Sequence, residues 1–292
     1  MSFYSCGERI AGDFYTFPAA VNSSLPAVVL SQGWGGVKER ILGEFAHRLV
    51  ARRFLALAFD YRGYGQSEGR KNRLFPLEQA EDIRAAVAYL RSTRVVDPAR
   101  IAVLSMLTGA AAALHAASFD PAIAAVVGLY AFGDGGRWLQ SLRSHWQWRE
   151  FVHRIDADRV SRSNAGASEM LDPNEILIRD PEGVRSEERL RAASIERREW
   201  RLGLDSADAI MAFRPEEQVQ RIAPRPVMLV AVEDDSMMPL AEVQRVYARL
   251  SEPRRMLILR DISHHQVYEP RILDSVVAEI AAFLDESMRT TF

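Results

Sequence analysis

The chain has 292 residues, 48% of them hydrophobic and 26% charged, with a formal net charge of −2 at pH 7. That balance allows one large α/β domain, or a domain carrying an insertion, and excludes the basic surface of a nucleic-acid binder or a polybasic membrane partner. The single cysteine, Cys6, excludes a disulfide framework and argues against a cysteine-cluster metal site.

Residues 1–12 show no basic flank leading into an apolar signal core, and no stretch reaches membrane-spanning length, so a cytoplasmic address is expected. Up to residue 20 the chain reads as an antiparallel hairpin, with Gly7 and Gly12 punctuating short apolar–polar alternation. The run 26–31 (PAVVLS) is continuously apolar, as a strand covered on both faces must be. Behind it comes Gln32-Gly33-Trp34-Gly35-Gly36, where glycines let backbone N–H groups swing toward one point. An amphipathic helix follows over 39–53, with Ile41, Leu42, Phe45, Leu49 and Val50 on one face and His47 at the surface. A strand over 54–59 runs into Asp60-Tyr61-Arg62-Gly63-Tyr64-Gly65-Gln66-Ser67. There a structural ion pair between Asp60 and Arg62 is favoured over an acid–base pair.

Residues 77–92 repeat Ala80, Ile83, Ala86, Val87 and Leu90 at helical spacing, and Asp97-Pro98 turns the chain into the next strand. At 101–112 (IAVLSMLTGAAA) an apolar run of strand length stops abruptly and small residues open an alanine-rich helix, on which His115 is expected to pack locally. A buried strand over 123–130 precedes a change of pattern. From 137 to about 213 strands vanish, and arginines and glutamates alternate with Trp138, Trp146, Trp148 and Trp200 in helical periods. His145 and His153 are spaced too widely for a helical metal pair. The sheet resumes over 226–232, leading to Glu233-Asp234-Asp235-Ser236-Met237-Met238-Pro239. A helix over 242–250, a strand over 256–259, the loop Asp261-Ile262-Ser263-His264-His265-Gln266-Val267-Tyr268 and a helix over 272–288 complete the chain.

In this order the stretches resemble the α/β-hydrolase superfamily over nearly the whole chain. The resemblance implies a mostly parallel central sheet with helices on both faces and a helical cap insertion. Its core would span 1–136 and 214–292, with the cap at 137–213. The D-x-R-G-x-G-x-S run becomes a structural turn after the fourth strand, in which Arg62 braces loops. The junction at 101–112 matches the nucleophile elbow, G-x-S-x-G, whose small flanks are needed because strand and helix backbones nearly touch. Ser105 and Gly109 take the flanking positions, with Ala110 and Ala111 behind them, and the nucleophile position falls on Leu107. Leucine has neither a lone pair nor a proton to lose, so it cannot attack a carbonyl. Other registers fit worse: Ser105 as nucleophile places Val103 and Leu107 at the small flanks, and Thr108 places Met106 there.

By the same resemblance the oxyanion amides are those of Trp34, with Gln32 in place of a more usual histidine, and of Thr108, the residue after the nucleophile position. The triad acid after the seventh strand falls on Asp235, with Asp234 as the nearby alternative. The catalytic histidine falls on His264, with Tyr268 four residues later and His265 as the fallback. No cofactor and no metal are implied. The expected partner is a small-molecule substrate or ligand under the cap, without nucleic acid or membrane, and a dimer is open.

Three readings of function stand side by side. The first is an acyl hydrolase (esterase, thioesterase or amidase) whose serine has been replaced by Leu107. The second is an enzyme using His264–Asp235 as a base without a covalent intermediate, in a lyase, cyclase, decarboxylase or oxygenase-like reaction. The third is a non-catalytic binder on a hydrolase frame. The cap is expected to close a largely apolar pocket over His264, lined by at least one of Trp138, Trp146 or Trp148.

Overall fold

In the computed structural model, which describes residues 1–18, 24–35, 37–39, 41–193 and 201–289, the apolar runs form an eight-stranded sheet. The elements in its first half are β1 (Ser2–Ser5), β2 (Glu8–Tyr15), β3 (Leu25–Ser31), α1 (Leu42–Val50), β4 (Leu55–Phe59), α2 (Pro76–Arg91), β5 (Val96–Met106), α3 (Thr108–Phe119) and β6 (Ala125–Leu129). An insertion follows: α4 (Gly135–Ser141), α5 (His145–Ala165), β7 (Met170–Leu171), α6 (Pro173–Ile176), α7 (Pro181–Ala193), β8 (Leu202–Gly203) and α8 (Leu204–Ala212). The sheet then closes with β9 (Val227–Val232), α9 (Leu240–Arg249), β10 (Arg254–Leu259) and α10 (Pro270–Arg289). The strand order is β1-β2-β4-β3-β5-β6-β9-β10. Within this sheet the β1–β2 and β2–β4 pairings are antiparallel and the remaining described pairings are parallel.

The hairpin turns at Cys6 and Gly7, both with positive φ, and Gly12 sits inside β2 rather than at a turn. β4, β6 and β9 are buried at every position, because helices cover both faces. The sheet grows in opposite directions from β3, and right-handed crossovers therefore set α1 on one face and α2 and α3 on the other, while α10, after the last strand, packs against α1. The expected helix over 39–53 shortens to α1, and Ala20, Gly36 and Trp200 lie outside the described residues. Strands do not vanish entirely from the insertion: β7 and β8 form a short antiparallel pair among its helices. Arg137 pins the insertion to the core through Glu216 at 2.6 Å and Glu242 at 2.7 Å.

The D-x-R-G run folds as a turn, with one correction: Arg62 pairs with Asp82 rather than Asp60, its Nε 2.9 Å from Asp82 Oδ1, and it also reaches Ser5. Asp60 works alone. Its carboxylate accepts the Lys38 amide at 2.7 Å and the Gln66 amide at 3.0 Å, tying the loop after β3 to the turn after β4. Gly65 lets the chain pass; a Cβ there would lie 2.3 Å from Asp60 Oδ2. Burial pushes the Asp60 carboxyl up to about 6, against the two amides that favour its charged form. Because the folded pKa lies above the unfolded one, this group's contribution is most favourable at low pH and is lost as pH rises through about 6. An NMR titration of its side-chain carbon is expected to give a midpoint of about 6, well clear of the exposed carboxylates.

Candidate active site

The parallel strands all deliver their C-terminal ends to one edge, where open α/β sheets collect their functional loops. The loop after β3, the junction after β5, Tyr130 after β6, Asp235 after β9 and His264 after β10 meet there.

The junction after β5 is strained. Leu107, the residue between β5 and α3, has φ 51° and ψ −123°, a backbone region that costs a non-glycine residue roughly 1–3 kcal/mol. Its neighbours are small for a steric reason. A Cβ on Gly109 would stand 2.2 Å from the Gln32 carbonyl oxygen, and one on Gly33 would stand 2.2 Å from the Met106 carbonyl oxygen and 2.7 Å from Leu107 Cβ. The glycine loop and the junction are thus pressed backbone to backbone. Below them Ser105 Oγ shares a hydrogen bond with Ser31 Oγ across the paired strands, and both side chains are buried. Since neither backbone can retreat, Gly109→Ala is expected to lower stability by roughly 3 kcal/mol or more, read as a fall in the denaturant midpoint.

His264 and Asp235 are brought together. His264 Nδ1 donates to Asp235 Oδ2 at 2.6 Å, and both residues are buried. The other carboxylate oxygen, Oδ1, accepts the amides of Met237 at 2.8 Å and Met238 at 2.9 Å, which lock the carboxylate toward the histidine. Asp234, the alternative acid, is exposed. With Nδ1 engaged, His264 Nε2 is left for the cavity that His264 lines. Tyr130, which sequence reasoning passed over, stacks on the imidazole with ring centroids 4.0 Å apart and donates its hydroxyl to the His264 carbonyl at 3.1 Å. The only signal for it was an aromatic residue ending an apolar strand. Tyr268 also lines the cavity and turns its hydroxyl toward Met106 Sδ at 3.7 Å. His265 is a cavity wall too, with its pKa pushed down to about 4, first by burial and then by His264 and Arg179, so it is neutral at neutral pH.

The cavity holds about 280 Å³ and is bordered by Gln32, Trp34, Met106, Leu107, His264 and Tyr268 from the core. The insertion contributes Leu177, Arg179 and Ser186. This corrects the expectation of a tryptophan wall from the cap. Trp138 is fully buried, stacked on Phe132, with its indole N–H donated to the Met237 carbonyl at 2.8 Å. Trp146 is 65% exposed, and Trp148 packs on Phe151. Among the described residues the tryptophan that reaches the cavity is Trp34, from the glycine loop, set edge-on to Trp138. An indole on a helix of unknown rotation carries no sign of which side it buries.

As the first residue of α3, Thr108 has no carbonyl of its own helix to donate its amide to, which leaves that N–H at the cavity end of the helix. Among the described residues no group of three or more His, Cys, Asp or Glu side chains is placed to hold a metal ion, and no helix is long and apolar enough to cross a membrane.

Sheet order, strained junction and inserted helices together define an α/β-hydrolase with a helical cap between β6 and β9. The chain belongs to the serine aminopeptidase S33 family of hydrolases, whose sequence pattern matches residues 23–271. A thiohydrolase of Eupenicillium brefeldianum is 26% identical over 287 residues, covering 94% of this chain and 90% of that protein. The quorum-quenching protein AidA of Acinetobacter baumannii is 36% identical over 122 residues, 41% of this chain and 40% of its own length. The structure of DcsB in complex with its substrate analogue superposes with a TM-score of 0.85 at 23% identity, over 99% of both chains, and so shares the fold. Family and relatives support a hydrolase acting on small molecules.

Proposed function

We propose that the chain is a small-molecule acyl hydrolase that works without a covalent intermediate. Asp235 holds His264 in the tautomer whose Nε2 is basic, and His264 takes a proton from a water molecule as that water attacks the acyl carbon. The amides of Trp34 and Thr108 receive the negative charge that develops on the carbonyl oxygen. As the tetrahedral intermediate collapses the acyl–sulfur or acyl–oxygen bond breaks, and His264 returns its proton to the departing thiolate or alkoxide, leaving the acid. The single observation that carries this reading is the intact, buried His264–Asp235 pair beside a strained junction occupied by Leu107. That turn is strained although its residue cannot act as a nucleophile, and a base with its orienting carboxylate stands at the same cavity. The thiohydrolase and the hydrolase family favour a thioester or ester as substrate. Residues 137–213, proposed as the cap, supply one side of the pocket through Leu177, Arg179 and Ser186.

The test is a panel of acyl thioesters, esters and lactones in water labelled with heavy oxygen. The expected result is one labelled oxygen in the product acid and no acyl-protein adduct by mass spectrometry during turnover. An adduct on the wild-type chain overturns the one-step mechanism. Absence of turnover across the panel, with ligand binding indifferent to His264→Ala, would make the chain a binder.

A further inference from the structure

The loops that bring Asp235 and His264 together also place a serine immediately beside each of them, and both serines face the same helix of the insertion. Ser236 Oγ donates to Asp180 Oδ2 at 2.6 Å, and Ser263 Oγ donates to Glu182 Oε1 at 2.8 Å. Asp180 immediately precedes α7, and Glu182 lies in its first turn. Negative side chains are favoured there because the helix dipole is positive at its start. Asp180 is held firmly: its Oδ1 accepts the Gly183 amide at 2.7 Å, while its carbonyl accepts the Val184 amide at 3.0 Å. Although burial pushes the Asp180 carboxyl up, the Ser236 hydroxyl, the Gly183 amide and the neighbouring histidines together hold it below its usual value.

The approach between these elements is close as well as polar. A Cβ added at Gly183 would lie 3.0 Å from His265 Nε2, so the start of α7 rests directly on the residue after His264. The Ser263 amide is turned inward to Gln266 Oε1 at 2.7 Å, which leaves its hydroxyl for α7. Ser236 stands next to the Met237 amide that orients Asp235. The same stretch of chain lends Arg179 and Ser186 to the cavity.

We propose that Asp180 and Glu182 are positioning residues: by holding Ser236 and Ser263 they tie the acid loop and the histidine loop to one rigid helix, so that docking α7 over the cavity and setting His264 against Asp235 are a single event. Hydrogen bonds to ionised acceptors are the stronger kind, and two of them on one helix leave little freedom to either loop. The geometry makes the cap part of the base rather than only a cover. This inference rests on the reading of His264 as a base, but its first readout needs no turnover.

The experiment uses the full chain with Ser236→Ala and Ser263→Ala combined, and separately Gly183→Ala. The first pair removes both donors. Gly183→Ala instead drives a methyl between α7 and His265 while alanine favours the helix itself, so it loosens docking without unfolding α7. Two quantities are read: amide hydrogen exchange at the start of α7, and the nitrogen-15 shifts of the His264 ring, which report the fraction of the Nδ1–H tautomer. In both variants α7 exchange is expected to rise roughly tenfold or more, and the His264 ring shifts to move toward a mixture of tautomers. Threonine at both serine positions, which keeps the hydroxyls, is expected to restore both readouts. If α7 loosens while the His264 shifts stay at wild-type values, or if neither changes in either variant, the positioning role is overturned. The two readings fail separately: a responsive ring in a chain without acyl turnover keeps the positioning role and discards the hydrolase. Turnover that depends on His264, together with an indifferent ring, does the reverse.

Discussion

Leu107→Ser is expected to convert the chain into a covalent serine hydrolase, labelled by fluorophosphonates that leave the wild type untouched. Hydrolysis of activated esters should rise at least about a hundredfold, with a burst of product that reports an acyl intermediate. The backbone at 107 already has the strained conformation of a nucleophile turn, with φ 51°, so no rearrangement is needed to present the hydroxyl. Leu107 and His264 border the same cavity, and a shorter side chain there opens room for an acyl group. His264 Nε2 would take the serine proton during attack, with Nδ1 held by Asp235 at 2.6 Å. The cost is the buried surface of one leucine, about 2 kcal/mol, which a chain with this core should tolerate. Labelling should disappear when His264→Ala is added. A folded Leu107→Ser chain that stays unlabelled, with wild-type rates, would mean that His264 does not reach residue 107.

His264→Ala is the second large effect. Loss of a general base lowers kcat by about 10²–10⁴, with KM little changed because the imidazole acts on water rather than holding the acyl group. Asp235→Asn should approach that loss by a different route. An asparagine has one acceptor oxygen, and the Met237 and Met238 amides already claim one oxygen of the carboxylate. Either the amides or His264 Nδ1 must go unserved, and a carboxamide N–H facing the ring favours the tautomer with its proton on the wrong nitrogen. Fold stability should fall by about 1–3 kcal/mol, less than a broken core would cost. Kinetics of both variants on one thioester give the check: a kcat within a few-fold of wild type for either would remove the dyad from the mechanism.

Much of this molecule was legible in the chain. Continuous apolar runs at 26–31, 101–106 and 226–232 meant strands buried on both faces, since only strands covered by helices can shed polar residues on alternate positions. Glycine at 109 meant a close approach of strand and helix backbones, whereas the contact of Gly33 with the Met106 carbonyl is a finding of the fold. The resemblance to the α/β-hydrolase superfamily pointed to Leu107, Asp235 and His264. Other features depended on distances across the fold. The Asp82 partner of Arg62, the Tyr130 ring on His264 and the burial of Trp138 join residues 20, 134 and 99 positions apart, respectively, in the contacts that define them. The insertion was least readable, because its longest helix, α5, carries charges nearly all round and so gives little apolar face to orient it. By itself the sequence determined the buried strands and the tight junction, since these follow from local periodicity and steric need, while the order of the chemistry-bearing residues came from the family resemblance. Only the tertiary structure decided which acid faces His264, which indole reaches the cavity and where α7 comes to rest, because those depend on how distant segments pack.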